Sequence, residues 1–177
     1  MTIRKSVALT SLFALVGLAY AGDEATGQGK VATKGAAAQS SFDPCALLTY
    51  DEIKSAVGWK PDSATKKGYG TTGTCTYHGP NAMLQNVAVM VGQGLAEMSD
   101  SKKMAAWRAK QYVDYKITDA IVEPIGDLGV PAIRNEFGVV SVEMAVGTQL
   151  LTVTGLSVKF EQAKKLAAFA LARKKKP

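Results

Sequence analysis

Five runs of β-type residues, each bounded by turn-forming residues, predict the strands of this chain. The runs are short apolar or alternating segments, and they cover Thr74–His78, Asn86–Val91, Ala132–Phe137, Val139–Val146 and Gln149–Thr154. The first two are joined by a turn at residues 79–81. The last three are separated only by Gly138 and by Gly147 with Thr148, which leave no room for a helix. The pattern therefore predicts a hairpin and a three-stranded meander.

Three further segments carry apolar residues at helical spacing. The first begins at a capping box, with Thr49 as N-cap and Glu52 as the third residue, and ends at Gly58. The second is expected over Ser101–Val113 and the third over Val158–Lys174. The predicted order is α-β-β-α-β-β-β-α, with Glu123–Gly129 as a connector. Grouped strands favour an α+β domain whose antiparallel sheet of about five strands has its helices packed on one face.

The first 41 residues have a different character from the rest of the chain. Residues 1–21 have a basic start, an apolar stretch of about 12 residues and an Ala-Tyr-Ala cleavage site, which is the pattern of a signal peptide. That stretch is shorter than the ~20 residues that span a bilayer. Residues 22–41 have one large apolar side chain, so we expect a flexible tether before a single domain at 42–177 with a basic C-terminal tail.

Composition narrows the class of function. The 177 residues are 47% hydrophobic and 20% charged, as in an ordinary globular domain. The formal net charge is +6, and removal of residues 1–21 with Arg4 and Lys5 would leave +4. This charge is too low and too scattered to indicate a nucleic-acid-binding protein. We therefore expect a periplasmic or secreted protein that binds no nucleic acid.

Cys45 and Cys75 are the only two cysteines. An even number of cysteines in an exported chain predicts a disulfide. Closing a loop of about 30 residues would contribute roughly 3 to 4 kcal/mol on the chain-entropy model. Redox pairs commonly have two residues between their cysteines, and structural zinc needs four ligands, so both alternatives fit this chain less well.

Several short motifs together resemble a known family. Asp43-Pro44-Cys45 with Leu47-Leu48-Thr49 opens the first helix, Cys75 and Tyr77 follow in the first predicted strand, and Ile125–Gly129 has the sequence Ile-Gly-Asp-Leu-Gly. This pattern resembles the small exported, disulfide-containing domains of unknown function found among bacterial envelope lipoproteins. The resemblance implies a disulfide-bridged α+β domain outside the inner membrane and transfers no catalytic residue. This chain lacks the cysteine that would carry a lipid anchor.

No set of residues in the sequence forms a recognisable catalytic or cofactor site. Gly68–Gly73 matches the glycine spacing of dinucleotide-binding loops, but a loop precedes it and a strand follows it, so we interpret it as a turn. His78 is the only histidine and has no orienting acid nearby in sequence. Asp51 and Glu52 suit the positive end of a helix dipole. We expect no cofactor and no catalysis.

The function predicted from these features is binding of an envelope protein or a small ligand. Candidate contact residues are His78, Asp127 and the terminal Lys174, Lys175 and Lys176, whose charges could also contact an anionic membrane surface. Two alternatives stay open. One is a hydrolase-like periplasmic enzyme whose site assembles only in three dimensions. The other is a periplasmic metal-handling protein that uses His78 and the methionines.

Overall fold

The structure is a computed structural model that describes residues 43–69 and 71–174. The predicted signal peptide and tether, together with Lys175 and Lys176, lie outside the described residues. The elements follow in the order α1, β1, β2, β3, α2, β4, β5, β6, β7, α3, and their bounds are Tyr50–Val57, Ser63–Tyr69, Thr72–His78, Asn86–Gln93, Ser101–Asp114, Ile121–Ile125, Ala132–Phe137, Val139–Val146, Gln149–Leu156 and Phe160–Lys174. Short 3₁₀ helices at Pro44–Leu47 and Ala96–Ser99 precede α1 and α2.

All seven strands form one sheet in the order β1-β2-β3-β7-β6-β5-β4. Every neighbouring pair is antiparallel, which confirms the predicted α+β class and strand direction. The predicted count of about five strands, and with it the predicted order of elements, is wrong. The two additional strands, β1 and β4, lie at the two edges of the sheet.

Both missed strands lack the alternating pattern that the prediction used. The described side chains of β1 are exposed, so this strand has no buried face that an alternating pattern could report. β4 contains Glu123 and Pro124, both exposed, and from Glu123 onward it lies in the segment predicted as a connector. Proline is tolerated in an edge strand, where its missing N–H is not needed by a neighbour.

The helices pack on both faces of the sheet, so the prediction that they all share one face is also wrong. The larger core, with Val89, Val142 and Val153 fully buried, lies under α1 and α3. On the opposite face Met104 of α2 clusters with Ile133 of β5. The reason is visible in β6, whose sequence Val-Val-Ser-Val-Glu-Met-Ala-Val is apolar at nearly every position, as expected for a strand covered on both sides.

The segment before α1 is fastened to β2 by two side chains of the same strand. The predicted disulfide is present and joins Cys45 to Cys75. Two residues further along β2, and therefore on the same face, the Tyr77 hydroxyl donates to the carbonyl oxygens of Cys45 at 2.8 Å and Leu48 at 2.9 Å. The Cys-x-Tyr pattern is thus explained, because both residues hold the start of the domain on the sheet.

The predicted helix boundaries agree closely with the structure. The Thr49 hydroxyl accepts from the N–H of Glu52, and the Glu52 carboxylate accepts from the N–H of Thr49, which completes the capping box. α1 ends at Gly58 with a φ of 87°, a left-handed conformation that favours glycine. Asp100 caps α2 by accepting from the N–H of Lys103.

Candidate functional site

Exposed apolar side chains are concentrated at one end of the sheet. Eight large apolar residues among the described ones are exposed, and seven of them belong to elements that end or begin there. We call this surface the apolar end, and its members are Met83, Leu84, Val113, Tyr115, Ile121, Phe137 and Leu156. The eighth, Leu95, follows β3 at the other end.

Strand register shows that these residues share one end. Asn86, where β3 begins, pairs with Leu156, and the loop before it carries Met83 and Leu84. β5 ends at Phe137, and β4 begins at Ile121, which pairs with Glu136. The C-terminal turn of α2 reaches the same end, because the ring of Tyr112 lies 5.8 Å from that of Phe137.

A groove beside the end of α2 adds concave shape to this surface. It has a volume of about 370 Å³ and is lined mainly by apolar side chains of α2 and of residues 117–122. We call it the α2 groove, and its apolar lining consists of Ala109, Tyr112, Val113, Ile117, Ala120 and Val122. Val113 in this lining is 73% exposed, and Tyr115, two residues further along the chain, is 77% exposed. Exposed aromatic and aliphatic residues around a cavity are typical of protein-binding surfaces.

A second groove lies on the opposite face of the sheet, between β4 and α3. It has a volume of about 340 Å³, and its apolar part is formed by Pro124, Ile125 and Phe160. We call it the α3 groove. Its charged lining consists of Glu123, Asp127, Arg134 and Lys164.

The charges of the α3 groove are held in fixed pairs. The Lys164 ammonium lies 2.6 Å from the Asp127 carboxylate, and this hydrogen bond lowers the pKa of Asp127 and raises the pKa of Lys164. Arg134 forms ion pairs with Glu136 at 2.6 Å and with Glu123 at 3.3 Å. The hydrogen bond to Glu136 raises the pKa of Arg134. The predicted contact residue Asp127 is therefore part of a groove, although its carboxylate is committed to Lys164.

Beneath α2, a buried polar network connects the helix to the sheet. The Glu143 side chain on β6 is only 4% exposed, and its two oxygens accept from Arg108 at 2.5 Å and from the Asn135 amide at 2.6 Å. The Tyr112 hydroxyl donates to the Asn135 oxygen at 2.7 Å. No buried side-chain nitrogen or oxygen in the described part of the chain lacks a partner. The network therefore positions α2, and with it the α2 groove.

The other predicted contact residues lie far apart on the fold. His78 ends β2 near the apolar end, with Nε2 3.2 Å from the Thr65 hydroxyl. Asp127 follows β4 at the opposite end of the sheet. Lys174 ends α3, and burial lowers its pKa. The structure does not bring these residues together.

The glycine motif has a structural role. Gly68 and Gly73 face each other across β1 and β2, and a Cβ on Gly68 would lie 2.9 Å from the carbonyl oxygen of Thr72. The prediction that a loop precedes the motif is wrong, because β1 runs up to Tyr69. The prediction that a strand follows it is confirmed by β2. Within 43–69 and 71–174, no three His, Cys, Asp or Glu side chains are grouped so that they could hold a metal ion.

The sequence did not indicate the apolar end or the buried network. Arg108 and Tyr112 are four residues apart and therefore lie on the same side of α2. This spacing was the one sequence signal from which a polar contact beneath the helix could have been predicted. Glu143 is the one charged residue in the apolar run of β6. The apolar end had no signal, because its residues come from five separate segments.

No helix in the described residues has the length and apolar character needed to cross a membrane.

Comparison with known proteins does not identify a family for this chain. No family model matches the sequence, and no curated protein matches it. Among solved structures, the chain is similar to the solution structure of cyanobacterial PsbP (CyanoP) from Synechocystis sp. PCC 6803. The two share 10% sequence identity over 64% of this chain and 81% of that chain, with a TM-score of 0.35.

Proposed function

We propose that this chain is an exported, non-catalytic module of the bacterial envelope that binds a protein partner at its apolar end. The observation that carries the proposal is the gathering of seven exposed large apolar side chains at one end of the sheet, beside the α2 groove. Exposed apolar side chains that lie together beside a groove are common where a protein binds another protein. The disulfide between Cys45 and Cys75 supports an oxidising compartment outside the cytoplasm.

The ionisable groups near the grooves support binding over catalysis. Glu143 is paired with Arg108 and hydrogen-bonded by Asn135, and Asp127 is paired with Lys164. A general acid or base needs a proton-transferring atom that can reach a substrate. Each of these carboxylates instead binds a cation of the protein itself, so a structural role accounts for them.

The test compares a double variant at the apolar end with a control variant at the other end of the sheet. In the double variant Val113→Ser and Tyr115→Ser, two side chains of the apolar end lose their apolar surface, whereas Leu95→Ser changes a residue that is 49% exposed at the other end. We expect proteins cross-linked in the envelope to copurify with the wild-type chain and with Leu95→Ser, but to be lost with the double variant. A loss of roughly 30-fold or more in affinity is expected if these residues act as binding hot spots.

Stability measurements keep this test interpretable. Val113, Tyr115 and Leu95 are all exposed to solvent, so their replacement should leave the unfolding midpoint nearly unchanged. If the double variant folds like the wild type and still copurifies with the same proteins, the apolar end is not the binding surface and the proposal fails.

A further inference from the structure

We propose that an extended segment of the partner adds to the sheet along the outer edge of β4 and places one apolar side chain in the α2 groove. This inference rests on the proposed function and specifies how the partner is held. Strand addition uses an unpaired sheet edge for main-chain hydrogen bonds and pockets beside that edge for alternate side chains. β4 provides both features.

The direction of the backbone groups of β4 follows from the neighbouring ladder. The N–H of Ala145 donates to the Pro131 carbonyl at 2.8 Å, which in an antiparallel pair means that Ala132 and Met144 point their own backbone groups away from each other. Ala132 therefore points its N–H and C=O toward β4. The Ser101 hydroxyl bridges the two strands there, accepting from the Ala132 N–H at 3.0 Å and donating to the Ile125 carbonyl at 3.1 Å.

The alternation along β4 then identifies the groups that face outward. The backbone N–H and C=O groups of Ile125 point toward β5, and so do those of Glu123 and Ile121. The backbone groups of Val122 and Pro124 point outward, away from β5. Val122 thus presents an N–H and a C=O, and Pro124 presents a C=O only. No element in the described part of the chain pairs with this edge. An added strand centred on Val122 can form three main-chain hydrogen bonds.

The α2 groove and the α3 groove lie on opposite faces of the sheet, on either side of β4. A residue directly opposite Val122 shares its face of the sheet and points toward the α2 groove, which Val122 itself lines. That residue should be apolar. Its neighbours in the added strand point to the other face, beside Glu123 and the α3 groove.

Charge indicates the residues that flank the apolar one. Around the α3 groove, the three carboxylates of Glu123, Asp127 and Glu136 face two cations, Arg134 and Lys164. The carboxylates of Glu123 and Asp127 are the exposed members, at 59% and 65%. Basic residues on either side of the apolar residue would complement this excess of negative charge.

The opposite edge of the sheet is a poorer candidate. β1 carries Lys66 and Lys67 near its centre, and lysines on an edge strand discourage the addition of another strand. We therefore assign strand addition to β4.

The test uses a synthetic peptide as probe. The peptide has capped ends and the sequence Ser-Thr-Lys-Leu-Lys-Thr-Ser, with leucine for the α2 groove and lysines for the α3 groove. Its control is the same peptide with an N-methylated leucine, which cannot donate to the Val122 carbonyl. Titration of the full chain, followed by NMR, should shift the Val122 amide signal and slow its hydrogen exchange. We expect the N-methylated peptide to bind roughly tenfold more weakly.

Two variants separate the backbone contact from the side chain. Val122→Pro removes the outward N–H without removing a bond to β5, while Val122→Ala shortens the side chain and keeps the N–H. We expect the proline variant to bind the peptide roughly tenfold more weakly than the alanine variant. Equal affinities, or an unaltered Val122 signal at millimolar peptide, would overturn the inference. A concentration-dependent dimer that the proline variant abolishes would also overturn it, by making a second copy the occupant.

Failure of this inference leaves a different result from failure of the proposed function. If the serine variants at Val113 and Tyr115 lose the partner while no peptide effect is seen at Val122, the apolar end binds its partner without strand addition. If the serine variants retain the partner, the proposed function itself fails.

Discussion

Replacing Tyr77 by phenylalanine tests how the start of the domain is held on the sheet. The change removes one buried hydroxyl, which donates to the Cys45 and Leu48 carbonyl oxygens, and leaves the ring in place. Loss of the donor leaves these carbonyls without that partner, at a cost of about 1 to 3 kcal/mol. We expect urea unfolding at pH 7.5 to show a decrease of this size in the free energy of unfolding.

A matched control exists next to Tyr77. The ring of Tyr50 lies edge-on to it at 6.0 Å, and the Tyr50 hydroxyl makes no hydrogen bond among the described residues. Tyr50→Phe should therefore change the free energy of unfolding by less than about 0.5 kcal/mol. Equal effects of the two substitutions would refute the assigned role of the Tyr77 hydroxyl.

The same hydroxyl predicts a dependence on alkaline pH. Burial raises the pKa of Tyr77 from 10.0 to about 12. Because the folded state holds the proton more tightly, this contribution to stability is complete below pH 10 and is lost as pH rises toward 12. By pH 11 the wild type should lose about 1.4 kcal/mol that Tyr77→Phe does not lose. If the difference between the two proteins stays constant from pH 8 to 11, Tyr77 does not titrate in this way.

Two other substitutions test the remaining fastenings of the fold. Replacing Cys45 and Cys75 by serine should lower the free energy of unfolding by roughly 3 to 4 kcal/mol, measured in urea, and an unchanged midpoint would contradict the bridge. Arg108→Met should cost about 3 to 5 kcal/mol because it leaves the buried Glu143 carboxylate without its cation. Adding Glu143→Gln to that variant should recover part of the loss in the same assay, whereas a further loss would show that the charge pair is not the source of the effect.

Local signals predicted the helices and the inner strands well. The capping box at Thr49 and the glycine at residue 58 specify both ends of α1 without any tertiary contact. β5 and β6 were predicted with the bounds that the structure has, because Gly138 separates the two segments and Gly147 follows the second. These signals act over a few residues, so a sequence pattern contains them in full.

The edge strands, and the helix that covers the second face of the sheet, are determined by contacts between segments that are distant in sequence. β1 has almost no apolar character and is a strand because β2 pairs with it. α2 lies on the second face because Ile133, Ala145 and Leu150 offer it an apolar surface, and these residues come from three strands. Periodicity within one segment does not report such a surface.

The candidate site could be predicted only in part for the same reason. Asp127 was selected from its turn sequence and does line the α3 groove, but its partner Lys164 is 37 residues away. The side chains of the apolar end, such as Met83 and Tyr115, become neighbours of one surface only through the strand register. His78 and Lys174 stay predicted contacts that no observation connects to either groove.

Photo-cross-linking in intact cells tests most directly whether the apolar end binds a partner. A benzophenone amino acid placed at Tyr115 reports contacts of the apolar end, and the same amino acid at Leu95 reports the opposite end of the sheet. We predict a discrete cross-linked protein from position 115 that is absent from position 95 and disappears when Val113→Ser is added. The same cross-links from both positions, or cross-links from position 95 alone, would contradict the account.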